Sequence, residues 1–144
     1  MNKPAFYCIA FLTIAGCSSH DVEASDEGRV CLFATDPSQS DVGGPQSYPE
    51  NASLFVEVTL DACLSACIQN EIASCDVRRD GDRLIVHSDF AYDKPSPDQA
   101  CVAVCHALEA VCESPALEAG TYQVTHGGDS YPLVVPSSGA EPCL

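Results

Sequence analysis

The chain carries ten cysteines, and eight of them lie between residues 31 and 143 in a pattern that could support two kinds of chemistry. An even number of cysteines in an exported protein predicts a framework of disulfide bonds, whereas thiolates grouped with a histidine can bind zinc. The eight candidates are Cys31, Cys63, Cys67, Cys75, Cys101, Cys105, Cys112 and Cys143. The compartment in which the chain resides decides between the two.

Zinc is an alternative because two Cys-x3-Cys pairs are present, Cys63 with Cys67 and Cys101 with Cys105, and His106 follows the second pair. Three intervening residues differ from the common zinc spacing of two, and thiols in an oxidising compartment are usually bridged. We therefore predict four disulfide bonds and no metal, with a zinc-binding Cys/His protein as an alternative.

The four histidines are the candidate general bases, at positions 20, 87, 106 and 126. The sequence contains no Gly-x-Ser-x-Gly elbow, and no phosphate-binding or dinucleotide-binding glycine pattern. A small hydrolase built from His106 or His126 and nearby acids is a second alternative. The more economical prediction is a non-catalytic protein, because each histidine can equally be a solvated or packed side chain.

The amino-terminal segment predicts export. Lys3 precedes an almost wholly apolar run from Ala5 to Ala15. A helix of this length would span about 17 Å, well short of a bilayer core of about 30 Å. A charged start, a short apolar middle and small residues at the end are typical of a secretory signal peptide and not of a transmembrane helix.

The signal ends in Ile14-Ala15-Gly16-Cys17, which resembles the lipobox of bacterial lipoproteins. The resemblance implies removal of residues 1–16 as the signal peptide, and a diacylglyceryl group and an N-acyl chain such as palmitate on Cys17. Multiple acyl chains would anchor the protein stably in a membrane, and no other cofactor is predicted. Ser18 in place of an aspartate favours the outer membrane within this family.

The mature chain would be strongly acidic and would hold one domain. Residues 17–28 contain four acids and no base, and predict a flexible tether ahead of a cysteine-rich domain at residues 29–144. Removal of Lys3 leaves five of the six bases against 21 acids, a net charge of −16. Such a charge disfavours binding to nucleic acid, and leaves an envelope protein, a glycan or a cation as possible partners.

Several segments predict strands. Leu54–Leu60 alternates apolar and polar residues, and Arg29–Ala34 is short and apolar. Asp80-Gly81 and the segment 126–129 predict the turns of two hairpins, and Pro132 favours an edge position for the last strand. The loops at 36–53 and 91–99 are the first candidates for a binding face.

The segment Asp76–Gly81 matches a calcium-binding loop only partly, because Arg78 occupies a position that a ligand would take. We therefore favour a solvated hairpin tip for this segment.

Geometry limits how the cysteines can pair. Residues four apart in a strand lie about 13 Å apart, whereas bridged α-carbons are about 4.4–6.8 Å apart. Cys63 and Cys67 therefore pair with distant partners, or else their segment turns. A bond between Cys31 and Cys143 would fasten the first strand to the tail. The segment 101–112 can be read as a helix, with Cys101, Cys105, Leu108 and Cys112 on one face, or as a strand, with Leu108, Ala110 and Cys112 on one face.

The segment Leu117 to Tyr122 resembles the tyrosine corner of immunoglobulin-like sandwiches, in which the tyrosine hydroxyl bonds to upstream backbone. The resemblance implies an all-β, disulfide-stapled sandwich of about seven strands, with short helical turns conceivable in the two Cys-x3-Cys segments. Together these features predict a lipid-anchored envelope protein that serves as a surface binding or structural module and is not an enzyme.

Overall fold

The computed structural model describes residues 20–39, 44–102 and 105–144. The predicted signal peptide and Cys17 lie outside the described residues. Within those three ranges, no helix is long and apolar enough to cross a bilayer.

The described chain folds into ten strands and one short 3₁₀ turn at Pro37–Gln39, which confirms the all-β prediction. In chain order the strands are β1 (Val22–Ser25), β2 (Arg29–Phe33), β3 (Gln46–Tyr48), β4 (Phe55–Leu64), β5 (Gln69–Asp80), β6 (Arg83–Asp93), β7 (His106–Glu113), β8 (Gly120–His126), β9 (Asp129–Val135) and β10 (Ser137–Ala140). The predicted number of about seven is too low. The three additional strands, β1, β3 and β10, are short and lie where the sequence predicts the tether, a loop and the tail.

The strands form three sheets. A five-stranded sheet has the order β1-β6-β8-β9, with β5 on the other side of β6. A three-stranded sheet has the order β2-β4-β7, and β3 pairs with β10. The two larger sheets contribute alternate side chains to one core, such as Val56 and Val58 of β4 and Leu84 and Val86 of β6. The two residues of each pair lie two positions apart, which places their side chains on the same face of the strand.

Four disulfide bonds confirm the predicted framework. Cys31 is bonded to Cys143, as the sequence predicts, and joins β2 to the tail. The other three bonds connect the two cysteine segments to each other, in the pairs Cys63–Cys105, Cys67–Cys101 and Cys75–Cys112. Because Cys75 lies in β5 and Cys112 in β7, the last of these bonds joins the two larger sheets.

The cysteine segments adopt strands and turns, and the alternative of short helical turns is wrong for the residues described. Cys63 lies in β4, and the chain then turns through Ala66 and Cys67 into β5. The Ile68 N–H donates to the Ser65 carbonyl at 3.2 Å, which closes the turn. In β7, the inward positions are those of the strand reading and include the buried Leu108 and Ala110.

The hydrogen bond of a tyrosine corner is present, because the Tyr122 hydroxyl donates to the Glu118 carbonyl at 2.9 Å. One pairing departs from the two antiparallel sheets of immunoglobulin domains. Arg83–Val86 of β6 runs parallel to Gln123–His126 of β8. The predicted hairpin with its turn at 126–129 is confirmed, because β8 and β9 pair in antiparallel orientation. Among the described residues β9, which holds Pro132, lies at the edge of its sheet.

The predicted tether at residues 17–28 is wrong for its second half. Val22–Ser25 forms β1 and pairs with Asp89–Tyr92 of β6. Ala24 is buried in the core, and the Lys94 N–H donates to the Asp21 carboxylate at 2.9 Å. The segment folds because backbone pairing and one small inward side chain suffice beside an open strand edge. A prediction based on the number of large apolar residues takes neither contribution into account.

Candidate functional site

The candidate site lies where two strands share one edge of β6. β8 pairs with residues 83–86 of β6, and β1 pairs with residues 89–92, so both partner strands end opposite His87 and Ser88. A gap in strand pairing leaves backbone polar groups that need other partners. It also opens a depression between the ends of the two strands.

Asp26 fills the gap in backbone pairing. Its carboxylate accepts a hydrogen bond from the Ser88 N–H at 3.1 Å, and its own N–H donates to the Ser88 carbonyl at 2.8 Å. The residue has a positive φ of 54°, a conformation that Asp tolerates better than most residues. Asp26 therefore completes the edge of β6 in place of a strand.

A short chain of polar contacts leads away from Asp26. Arg78 Nη2 lies 3.2 Å from His87 Nε2, and His87 Nδ1 lies 3.3 Å from Asp26 Oδ1. A guanidinium can only donate, so Nε2 accepts and the hydrogen of the ring is on Nδ1, directed at the carboxylate. His87 thus links the positive Arg78 to the negative Asp26.

The hairpin between β8 and β9 presses against the same residue. Gly127 has a φ of 55°, and a Cβ placed on it would lie 2.6 Å from the Asp26 carbonyl oxygen. Glycine is therefore required here both by conformation and by space. The neighbouring Gly128 has no atom within 4 Å of the equivalent Cβ position.

The resulting depression, which we call the junction crevice, has a volume of about 300 Å³. It opens on the outer face of the five-stranded sheet, since Arg83, Ile85 and His87 alternate with the buried Leu84 and Val86 along β6. Its lining combines charged, hydroxyl and backbone groups, from Asp26, Arg83, Ile85, Val86, His87, Thr125, Gly127, Gly128, Asp129 and Ser130. A small polar ligand suits this size and chemistry, because ligand sites span about 300–1,000 Å³.

Behind the crevice, on the inner face of the sheet, Ser88 Oγ lies 2.9 Å from His126 Nε2. Ser88 is 1% exposed and His126 is 6% exposed. The Ser88 hydroxyl also donates to the Glu27 carbonyl at 3.4 Å. Both contacts form together when His126 donates to Ser88, which is the reverse of general-base activation. The geometry favours a pair of core side chains that satisfy each other's hydrogen bonds.

Burial lowers the pKa of His126. The negative charges of Asp26 and Asp129 act in the opposite direction, and His87 adds a smaller lowering effect. The imidazole is thus held neutral in the core near neutral pH.

The other histidines do not share one site. His106 Nε2 lies 3.0 Å from Glu71 Oε2, and His20 Nδ1 lies 3.3 Å from Asp93 Oδ1. The zinc alternative fails at Cys63, Cys67, Cys101 and Cys105, because bridged sulfurs are not available as thiolate ligands. In the described part of the chain no three His, Cys, Asp or Glu side chains are grouped as metal ligands.

The described parts of the two loops predicted as a binding face contribute no residue to the lining of the junction crevice. The described part of the loop at 36–53 contributes Asp36 and Ser38 to a shallow apolar depression of about 400 Å³ beside Phe55 and Val111. In the segment 91–99, residues 91–93 belong to β6, and the Gln99 N–H donates to the Ser96 carbonyl at 2.9 Å. Residues 40–43 lie outside the described chain.

Sequence reasoning missed Asp26, which it placed in the tether, and Asp129, which it placed in a turn. Their role arises from contacts between strands that are distant in sequence, and no local motif marks it. Comparison with protein families, curated proteins and solved structures finds no match to this chain.

Proposed function

We propose that this protein is a non-catalytic lipoprotein of a bacterial envelope, anchored through Cys17, which presents a disulfide-stapled β domain as a surface binding module. The junction crevice is its binding surface. The observation that carries the proposal is the short stretch of sequence between Cys17 and the folded domain, since β1 begins at Val22. Five residues span at most about 18 Å, so lipid on Cys17 would hold the domain close to its membrane.

The disulfide bonds of the domain support a location outside the cytoplasm. All eight cysteines of the domain are bonded, and such bonds persist in oxidising compartments. The net charge of −16 for the mature chain, from five bases and 21 acids, opposes nucleic acid as a partner. We further infer that the scaffold is a variant of the immunoglobulin-like sandwich, supported by the tyrosine corner and altered by the parallel pair of β6 and β8.

Membrane fractionation tests the anchor. The wild-type chain should be recovered with the outer membrane when it is expressed with its signal, and Cys17→Ala should be released in the soluble envelope fraction. Cys8→Ala, which changes a cysteine of the predicted signal, is the matched control and should stay with the membrane. Recovery of the wild-type chain in the soluble fraction, or of Cys17→Ala with the membrane, would overturn the proposed anchor.

Site-specific photo-crosslinking tests the binding surface. A photoreactive residue at Ser130, on the rim of the junction crevice, should form an adduct in whole envelopes that excess purified protein competes away. The same residue at the exposed Asp98 is the control and should form none. Equal adducts at both positions, or none at Ser130, would contradict a binding role for the crevice.

A further inference from the structure

The junction crevice holds two charges of opposite sign that no described side chain pairs. Among the side chains described, no carboxylate lies within 4.0 Å of the Arg83 guanidinium, and no base lies within that distance of the Asp129 carboxylate. Arg78 and Asp26, by contrast, are already linked through His87. Within the part of the chain that the structure describes, the crevice thus offers one unpaired cation, Arg83, and one unpaired carboxylate, Asp129.

These two charges lie at opposite corners of the crevice. Arg83 is three residues from Val86, which pairs with His126, and His126 pairs with Asp129 on the next strand. Three residues along a strand cover about 10 Å, and two strand spacings cover about 10 Å, so the two α-carbons lie about 14 Å apart. Both side chains line the crevice, and the arginine, as the longer of the two, would shorten that gap for a ligand bound between them.

The floor between the charges is mixed. Ile85 gives an apolar surface, and Thr125 gives a hydroxyl that already donates to the Leu84 carbonyl at 3.4 Å. Backbone at Gly128 is open to a ligand, because no atom lies within 4 Å of the position that a Cβ on this residue would take. A ligand that lies along this floor needs a negative group at Arg83, a positive group at Asp129 and a short, compact body.

We propose that the junction crevice binds a small zwitterion of dipeptide size, with its carboxylate on Arg83 and its ammonium on Asp129. This inference rests on the proposed function and names its ligand class. Two extended residues span about 7 Å, which fits the gap left by the arginine side chain. A single charged group would leave one of the two protein charges without a partner, so anions or cations alone should bind more weakly.

Titration of the isotope-labelled mature protein in detergent micelles, followed by amide NMR shifts, tests the ligand class. The probes are glycylglycine, N-acetylglycine, which lacks the ammonium, and glycinamide, which lacks the carboxylate. Glycylglycine should shift the amides of Gly127, Gly128 and Ser130 and bind about tenfold more tightly than either other probe, about 1.4 kcal/mol. Arg83→Gln and Asp129→Asn should each weaken it about tenfold.

Arg79→Gln is the control, since Arg79 stacks over Tyr122 at 5.2 Å and does not line the crevice, and it should leave binding unchanged. Equal binding of N-acetylglycine would make this a simple anion site and overturn the proposal. Equal binding of glycinamide, or no shift with any probe at about 20 mM, would overturn it as well. Anchorage and the Ser130 crosslink are measured separately, so this failure would leave the proposed function standing.

Discussion

At the scale of single residues, the most consequential contacts are those of Asp26. One carboxylate and one backbone N–H satisfy both polar groups of Ser88, orient His87 and set the end of β1. The geometry leaves little space around this residue, because Gly127 lies against its carbonyl. Substitutions at the junction should therefore affect stability through shape and charge compensation.

Gly127→Ala should lower the free energy of unfolding by about 1–3 kcal/mol, because alanine disfavours a φ of 55° and its Cβ would meet the Asp26 carbonyl. Gly128→Ala, one residue along, meets no atom within 4 Å and should change it by less than about 0.5 kcal/mol. Urea unfolding of both variants under non-reducing conditions measures the difference. Equal effects would show that the contact with Asp26 does not constrain Gly127.

His126 should make the domain less stable in mild acid. Burial lowers its pKa in the folded state from the ordinary value of 6.5, so below about pH 6.5 the unfolded chain binds more protons than the folded chain. Stability is then lost as the pH falls through that region, down to the folded-state pKa. Urea midpoints between about pH 7.5 and 5.5 should fall less steeply in His126→Gln than in wild type.

The control for this pH series is Ser130→Ala, which removes a hydroxyl on the crevice rim and no titratable group, and it should keep the wild-type slope. An unchanged slope in His126→Gln would show that the buried imidazole is not responsible for the loss of stability.

At the scale of elements, sequence patterns indicate the long strands and fail for the short ones. The alternation in Leu54–Leu60 predicts most of β4, because strand periodicity and burial coincide there. β1 escapes prediction because its stability comes from the edge of β6, 60 or more residues away in the chain. The junction crevice escapes for the same reason, since it exists only where β1 and β8 meet.

The docking of β1 can be tested by charge insertion. Ala24→Asp should lower the free energy of unfolding by about 2 kcal/mol or more, because Ala24 faces the core and an unpaired carboxylate there is costly. Glu23→Asp, at the adjacent exposed position, should stay within about 0.5 kcal/mol of wild type. Equal stability of the two variants would show that residues 22–25 are not docked on the domain and serve as a tether.

The disulfides should differ in their contributions. Cys31 and Cys143 are 112 residues apart, whereas Cys67 and Cys101 are 34 apart. In the loop-entropy description the longer closure contributes more, and the Cys63–Cys105 bond that brackets the shorter loop already restricts it. Cys31→Ala with Cys143→Ala should therefore lower the urea midpoint more than Cys67→Ala with Cys101→Ala. The reverse order would show that local packing outweighs chain entropy.

Hydrogen bonds at the tail reinforce the Cys31–Cys143 bond. The Leu32 N–H donates to the Pro142 carbonyl at 2.7 Å, and the Leu144 N–H donates to the Val30 carbonyl at 2.9 Å. These contacts cover an otherwise open edge of β2, which reduces the exposure of pairing groups to other chains.

At the scale of the whole molecule, the strand patterns predict the all-β class, whereas the even cysteine count together with the predicted export predicts the cross-links. The pairing of the cysteines depends on which of them the fold brings together. Only Cys31–Cys143 could be predicted, because these are the first and last cysteines of the domain and their bond joins the first strand to the tail. The proposed anchor also sets an orientation. β1 leads away from Cys17, so the start of β1 and the end of β6 would face the membrane and the 80–83 hairpin tip would point away.

Intact-mass analysis of the protein isolated from bacterial membranes tests whether a lipid-anchored chain carries a fully bridged β domain. The chain should begin at Cys17, carry the mass of a diacylglyceryl group and an acyl chain, and gain eight hydrogens on reduction of its four disulfides. A chain that still begins at Met1, or that has free thiols before reduction, would contradict this expectation.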